Sequence, residues 1–67
     1  MNIQLNGQEV TLPSNVESIQ DLLDHYQLTN RIVIVELNKE ILKKEQYSET
    51  KLMTGDSIEL IHFVGGG

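Results

Sequence analysis

The sequence closes on Gly65-Gly66-Gly67, after the apolar run Ile61-His62-Phe63-Val64. Three glycines carry nothing to pack and the widest backbone freedom, so they cannot reinforce a strand. They do suit one kind of chemistry. A tail without Cβ atoms threads a narrow channel, is gripped along its amides, and leaves its last carbonyl open to a nucleophile. A carboxylate is inert until activated, and attack on the α-phosphate of ATP to form an acyl adenylate is the simplest activation. That machinery, and the ATP it consumes, would belong to a partner enzyme, with no cofactor bound by the chain itself. The plain alternative is a frayed terminus, although such termini mix charged and polar residues where this one is glycine alone.

The rest of the chain offers little chemistry. His25 and His62 lie far apart without partners at metal-ligand spacing, and no cysteine is available as nucleophile, thiolate ligand or disulfide half. No serine or threonine stands in a nucleophile elbow, and no glycine-rich loop precedes a helix to cradle phosphate. The carboxylate pairs Glu36 with Glu40 and Asp21 with Asp24 read as solvated surface charges. A chain of this size has little room to enclose a cleft. The expectation is a protein that is not an enzyme and holds no metal, but is acted on by others.

Sixty-seven residues support one core, here a single domain over 1–64 with 65–67 as a flexible tail. Ten acidic against five basic residues give a net charge of −5. Lys39, Lys43 and Lys44 are interleaved with Glu40 and Glu45, so a phosphate backbone meets no clustered cations and nucleic acid is excluded. A basic protein surface is the better match. The opening residues lack a signal peptide's basic start and apolar stretch, and no run is long enough to span a bilayer. A soluble cytoplasmic protein, monomeric when free, is expected.

The elements that must present the tail follow from local patterns. Residues 3–12, IQLNGQEVTL, alternate apolar and polar about Asn6-Gly7, the strongest short hairpin signal because both central positions of a type I′ turn need positive φ. A two-residue loop there pairs Ile3 with Val10 and Met1 with Leu12, placing all four side chains on one face. Pro13 ends the second strand. Ile19, Leu22, Leu23 and Tyr26 then fall at i, i+3, i+4 and i+7 of a helix. Ser18 is its N-cap, and Asp21 is a capping-box partner near the positive end of the dipole.

IVIVEL, residues 32–37, is apolar on both alternating faces and predicts a central strand partly covered on each side. Asn38-Lys39 turns the chain toward a short piece at Ile41-Leu42, and 43–49 is expected to be loop. A turn at Thr54-Gly55-Asp56 leads into a last strand from about Ser57 to Val64. The order β-β-α-β-β-β predicts an α+β domain of the β-grasp, ubiquitin-like kind: a mixed sheet of four to five strands with one helix across one face.

In the last strand, Ile58 and Leu60 belong to the core face. Glu59, Ile61 and Phe63 then point the other way, toward a face that no helix covers. An isoleucine and an aromatic there make a candidate contact patch leading into the tail, and Ile61, Phe63 and Val64 are the residues expected to meet a partner.

This order of elements, closed by Gly66-Gly67, resembles the ubiquitin-like sulfur carriers, and within them the thiamine-biosynthesis (ThiS) family. The likeness runs from IQLNG through LL of the helix and VELNKEI to GDSIELIHFVGGG. It implies that an E1-like adenylyltransferase converts the carboxylate of Gly67 to a glycyl adenylate. Sulfur, drawn from cysteine through a desulfurase persulfide, would then replace AMP and leave a thiocarboxylate for thiazole synthase. Gly65 and Gly66 would form the approach required for activation, although two glycines suffice for the family and Gly65 is an extra. The alternatives are the small subunit of molybdopterin synthase, which uses the same terminal chemistry, and a ubiquitin-like interaction module with an inert tail. Conjugation to lysines is a third.

Overall fold

The computed structural model describes residues 1–62. Its elements run β1 (Asn2–Leu5), β2 (Gln8–Thr11), α1 (Ile19–His25), β3 (Val33–Leu37), β4 (Glu40–Leu42), a 3₁₀ helix (Lys44–Gln46) and β5 (Ser57–His62). The strands form one five-stranded sheet in the order β2-β1-β5-β3-β4. β1 and β5 are parallel and every other pair is antiparallel. This is the expected β-grasp arrangement, with a correction: the central strand is β5, the last of the described strands, and 33–37 is its neighbour.

The first hairpin forms as its alternation requires. Asn6 and Gly7 both have positive φ, +50° and +83°, and Ile3 pairs with Val10. Backbone bonds between Met1 and Leu12 extend the ladder in both directions. Ile3 and Leu12 are buried and Val10 half-buried, but Met1 lies at the open end of the pair and is exposed. The second hairpin repeats the geometry at Asn38 and Lys39, with φ +50° and +73°, so a lysine occupies a position where a Cβ is strained.

Ser18 caps α1 through its hydroxyl, which accepts from the Asp21 N–H at 3.1 Å. The Asp21 carboxylate accepts from the Ser18 and Glu17 N–H groups at 3.2 and 3.0 Å, closing the capping box. These bonds, that from Glu17 foremost, hold the Asp21 carboxyl below its ordinary pKa. The helix stops earlier than its periodicity suggests. Gln27 takes φ +60°; its N–H donates to the Asp24 carbonyl and the Leu28 N–H to that of Leu23, which is a Schellman ending. Tyr26 is therefore the C-cap and is exposed rather than buried.

Ile19, Leu22 and Leu23 pack on the sheet face carrying Ile3, Ile58 and Val35. Leu12, Val16, Tyr47 and Leu52 complete this core. The stretch 43–49 is not plain loop. Gln46 Oε1 accepts from the Lys43 N–H at 2.8 Å and starts the 3₁₀ helix, which delivers Tyr47 into the core with its hydroxyl toward the Val33 carbonyl. Backbone bonds then tie the segment to the start of α1: Ile19 N–H to Thr50, Gln20 N–H to Tyr47, and Leu52 N–H to Glu17.

Candidate functional site

β5 leads toward the glycine tail, so its two faces decide what accompanies the tail. Ile58 is fully buried and Leu60 half-buried under the helix. Glu59 and Ile61 emerge on the opposite, helix-free face. Ile61 stands across from Ile34, and Glu59 across from Glu36; Glu36 in turn pairs with Ile41. Cross-strand partners share a face, so the open side of β5, β3 and β4 carries Ile61, Ile34 and Ile41 around the Glu36–Glu59 pair. Ile34, Ile41 and Ile61 are all exposed, as a surface that meets another protein would be.

Two sequence expectations change here. Residues 32–37 are not covered on both sides, since Ile32 and Ile34 are exposed. The acidic neighbour of Glu36 is Glu59, not Glu40. Glu40 pairs with Leu37 and so belongs to the other face. Phe63, Val64, Gly65, Gly66 and Gly67 lie outside the described residues. Of the expected contact residues, Ile61 is described, and it sits on the open face.

Ile34 and Ile41 are not among the contact residues expected from the sequence. The alternation of β3 was a usable signal for Ile34, but it required knowing which face the helix covers. From the sequence, Asn6 is a turn residue. Its carboxamide also reaches β5: the Leu60 N–H donates to Asn6 Oδ1 at 2.8 Å, and Asn6 Nδ2 donates to the Leu60 carbonyl at 3.3 Å.

Nothing among the described residues assembles a catalytic constellation. Among the described residues, no group of three or more His, Asp or Glu side chains is placed to hold a metal ion. A crevice lined by Leu23, Leu28, Arg31, Val33 and Tyr47 opens between the end of α1 and the start of β3, without a nucleophile and base in contact. A shallower cleft lined by Leu5, Asn6, Tyr26, Leu28, Leu60 and His62 lies beside the end of β5. No helix is long and apolar enough to cross a membrane among the described residues. What the described residues offer is an open sheet face on β5, β3 and β4, carried by the strand that precedes the glycines in the chain.

Comparison with known proteins places this surface in context. The family model described as "ThiS family" matches residues 3–67. The chain is 57% identical over 65 residues to the sulfur carrier protein ThiS of Bacillus subtilis, covering 97% of this chain and 98% of that protein. All of it aligns, at 33% identity, with one fifth of the thiazole synthase of Paramagnetospirillum magneticum. The crystal structure of a thiamine biosynthesis protein (ThiS) from Geobacter metallireducens superposes with a TM-score of 0.82 at 33% identity, with both chains fully covered.

Proposed function

The chain belongs to the ThiS family of sulfur carriers, and we propose that its cargo rides on Gly67 as a thiocarboxylate. An E1-like adenylyltransferase activates the Gly67 carboxylate, whose oxygen attacks the α-phosphate of ATP and expels pyrophosphate. The outer sulfur of a persulfide charged by a cysteine desulfurase then attacks the acyl carbon and expels AMP. A second thiol of the partner cleaves the resulting acyl disulfide, leaving the thiocarboxylate on Gly67 and a disulfide on the partner. Gly66 and Gly65 supply an approach without side chains, so that the terminal carbonyl reaches a nucleophile inside the partner. The chain contributes no catalytic group of its own and binds no cofactor.

The observation that carries this reading is the extent of the family match, which runs to residue 67 and so takes in all three glycines. The recipient we assign is thiazole synthase, in thiamine biosynthesis. In two thiazole synthases a segment similar to the whole of this chain makes up a fifth of the protein, which joins carrier-like and synthase sequence in one polypeptide. Docking uses the open face around Ile61, with Phe63 and Val64 continuing toward the tail. An acidic protein of net charge −5 meets a basic partner surface with favourable steering. ATP and a persulfide donor place the reaction in the cytoplasm, with the free carrier a monomer.

Intact-protein mass spectrometry tests the assignment. The chain is incubated with ATP, a sulfur source and an adenylyltransferase active on a known carrier. A mass gain equal to exchanging one oxygen for sulfur, mapped to Gly67 and absent when Gly67 is deleted, is the expected result. An unchanged mass would replace this reading with that of an interaction module bearing an inert tail.

A further inference from the structure

The parallel ladder between β1 and β5 ends early. Its last pair is Leu5 with Ile58, followed by the Asn6 N–H donating to the Ile58 carbonyl at 2.9 Å. β1 then turns away into the hairpin, while β5 continues to His62 with β3 on its other side. The β1-facing edge of β5 therefore has no β1 backbone partner at Leu60. The Asn6 carboxamide fills that place, accepting from the Leu60 N–H and donating to its carbonyl. One side chain does there what a peptide group does in a ladder.

The turn alone does not require asparagine. Position 6 needs positive φ, which glycine and aspartate also tolerate. Only asparagine adds a donor and an acceptor on one planar group. The other end of β5 has a counterpart in the second hairpin. Asn38 Oδ1 accepts from the Ser57 N–H at 2.9 Å, and the Asn38 N–H donates to the Ser57 carbonyl at 2.7 Å. Both ends of the central strand are thus held by hairpin asparagines, but only the Leu60 end leads to the glycines.

We propose that Asn6 is a positioning residue for the tail chemistry: it fixes β5 at Leu60, and so holds in place the end of the strand that precedes the glycines in the chain. The proposal rests on the carrier reading above. Docking on the Ile34–Ile61 face orients the body, and the Leu60 clamp steadies the end of β5. Small misplacements matter at such a point, because reactive geometry is lost steeply over about 1 Å.

The test compares N6G with N38G. Each keeps a residue compatible with positive φ and removes one asparagine side chain from β5, at opposite ends. Amide hydrogen exchange should show the Leu60 proton deprotected in N6G and unaffected in N38G. With adenylyltransferase, ATP and the sulfur source, N6G should lose roughly tenfold in kcat, about the worth of one lost hydrogen-bonded contact, with KM nearly unchanged. N38G should keep the wild-type kcat. N6D retains the acceptor but not the donor and should fall between. Unchanged Leu60 exchange in N6G would overturn the clamp, and equal loss of kcat in N6G and N38G would overturn positioning in favour of general stability. Wild-type chain that gains no sulfur counts instead against the carrier reading, while the exchange data still decide the clamp.

Discussion

Ile34 on β3 and Ile61 on β5 stand directly opposite each other on the helix-free side of the sheet, 37% and 45% exposed. Their side chains are free to be covered by another protein without disturbing the core on the other face. Replacing Ile61 with serine should therefore weaken binding to the adenylyltransferase. The expected cost is about 1 kcal/mol, or roughly a fivefold rise in Kd, for half-exposed aliphatic surface that docking would bury. Calorimetric titration checks the affinity. The thermal midpoint of the free chain should shift little, which separates docking from folding.

Glu36 and Glu59 face each other in the same ladder, and like charges directly opposite cost stability. Glu59→Lys should stabilise the free chain by about 0.5 kcal/mol, read from urea unfolding. The same variant should slow association with a basic partner, most clearly at low salt. Faster or unchanged association would remove this pair from the interface.

Lys39 holds φ +73° in the β3–β4 turn, a conformation that costs a residue with a Cβ about 1 kcal/mol or more. Lys39→Gly relieves that strain and supplies the Asn-Gly pair that type I′ turns favour. Allowing for the entropy glycine loses on folding, a net gain of about 0.5 kcal/mol is expected by chemical denaturation. Loss of stability would mean that the lysine side chain contributes a contact that outweighs the strain.

Ser18→Ala removes the N-cap acceptor and should cost about 1 kcal/mol. Asp21, the other half of the box, has its pKa lowered in the fold by the N–H groups of Glu17 and Ser18. The folded state thus binds its proton more weakly than the unfolded chain. The stabilisation is present above the ordinary carboxyl range, about pH 4, and is lost as pH falls through the lowered folded value. Asp21→Asn should flatten that part of the stability profile while leaving the neutral-pH fold intact, as urea midpoints between acid and neutral pH would report.

Much of this architecture was legible because its signals are local. Asn6-Gly7 fixed one hairpin, Ser18 and Asp21 marked the helix start, and the alternation in β5 separated Ile58 from Ile61. Elements set by distant partners were harder to read. Val16 and Leu52 join the core from stretches without periodicity, held by the Leu52–Glu17 and Ile19–Thr50 backbone bonds. Tyr47 reaches the core from a polar run because a 3₁₀ helix aims it inward. The helix ends at Tyr26 because Gln27 adopts a left-handed conformation that its residue type does not advertise. The apolar content of β3 suggested a covered central strand. Ile34 is exposed because β5 lies between β1 and β3 and the helix covers only the other face of the sheet.

The strand at the middle of the sheet is also the last in chain order among the described strands. The bonds joining Asn6 to Leu60 span 54 positions in the chain, and long-range closures of this kind slow folding because the loop entropy is lost before the contact forms. Until β5 arrives, the hairpins on either side of it have no common partner, and each is too small to persist alone. A nascent chain broken before Leu60 should therefore not fold. A folded chain is thus one in which the strand that joins the two hairpins is already in place.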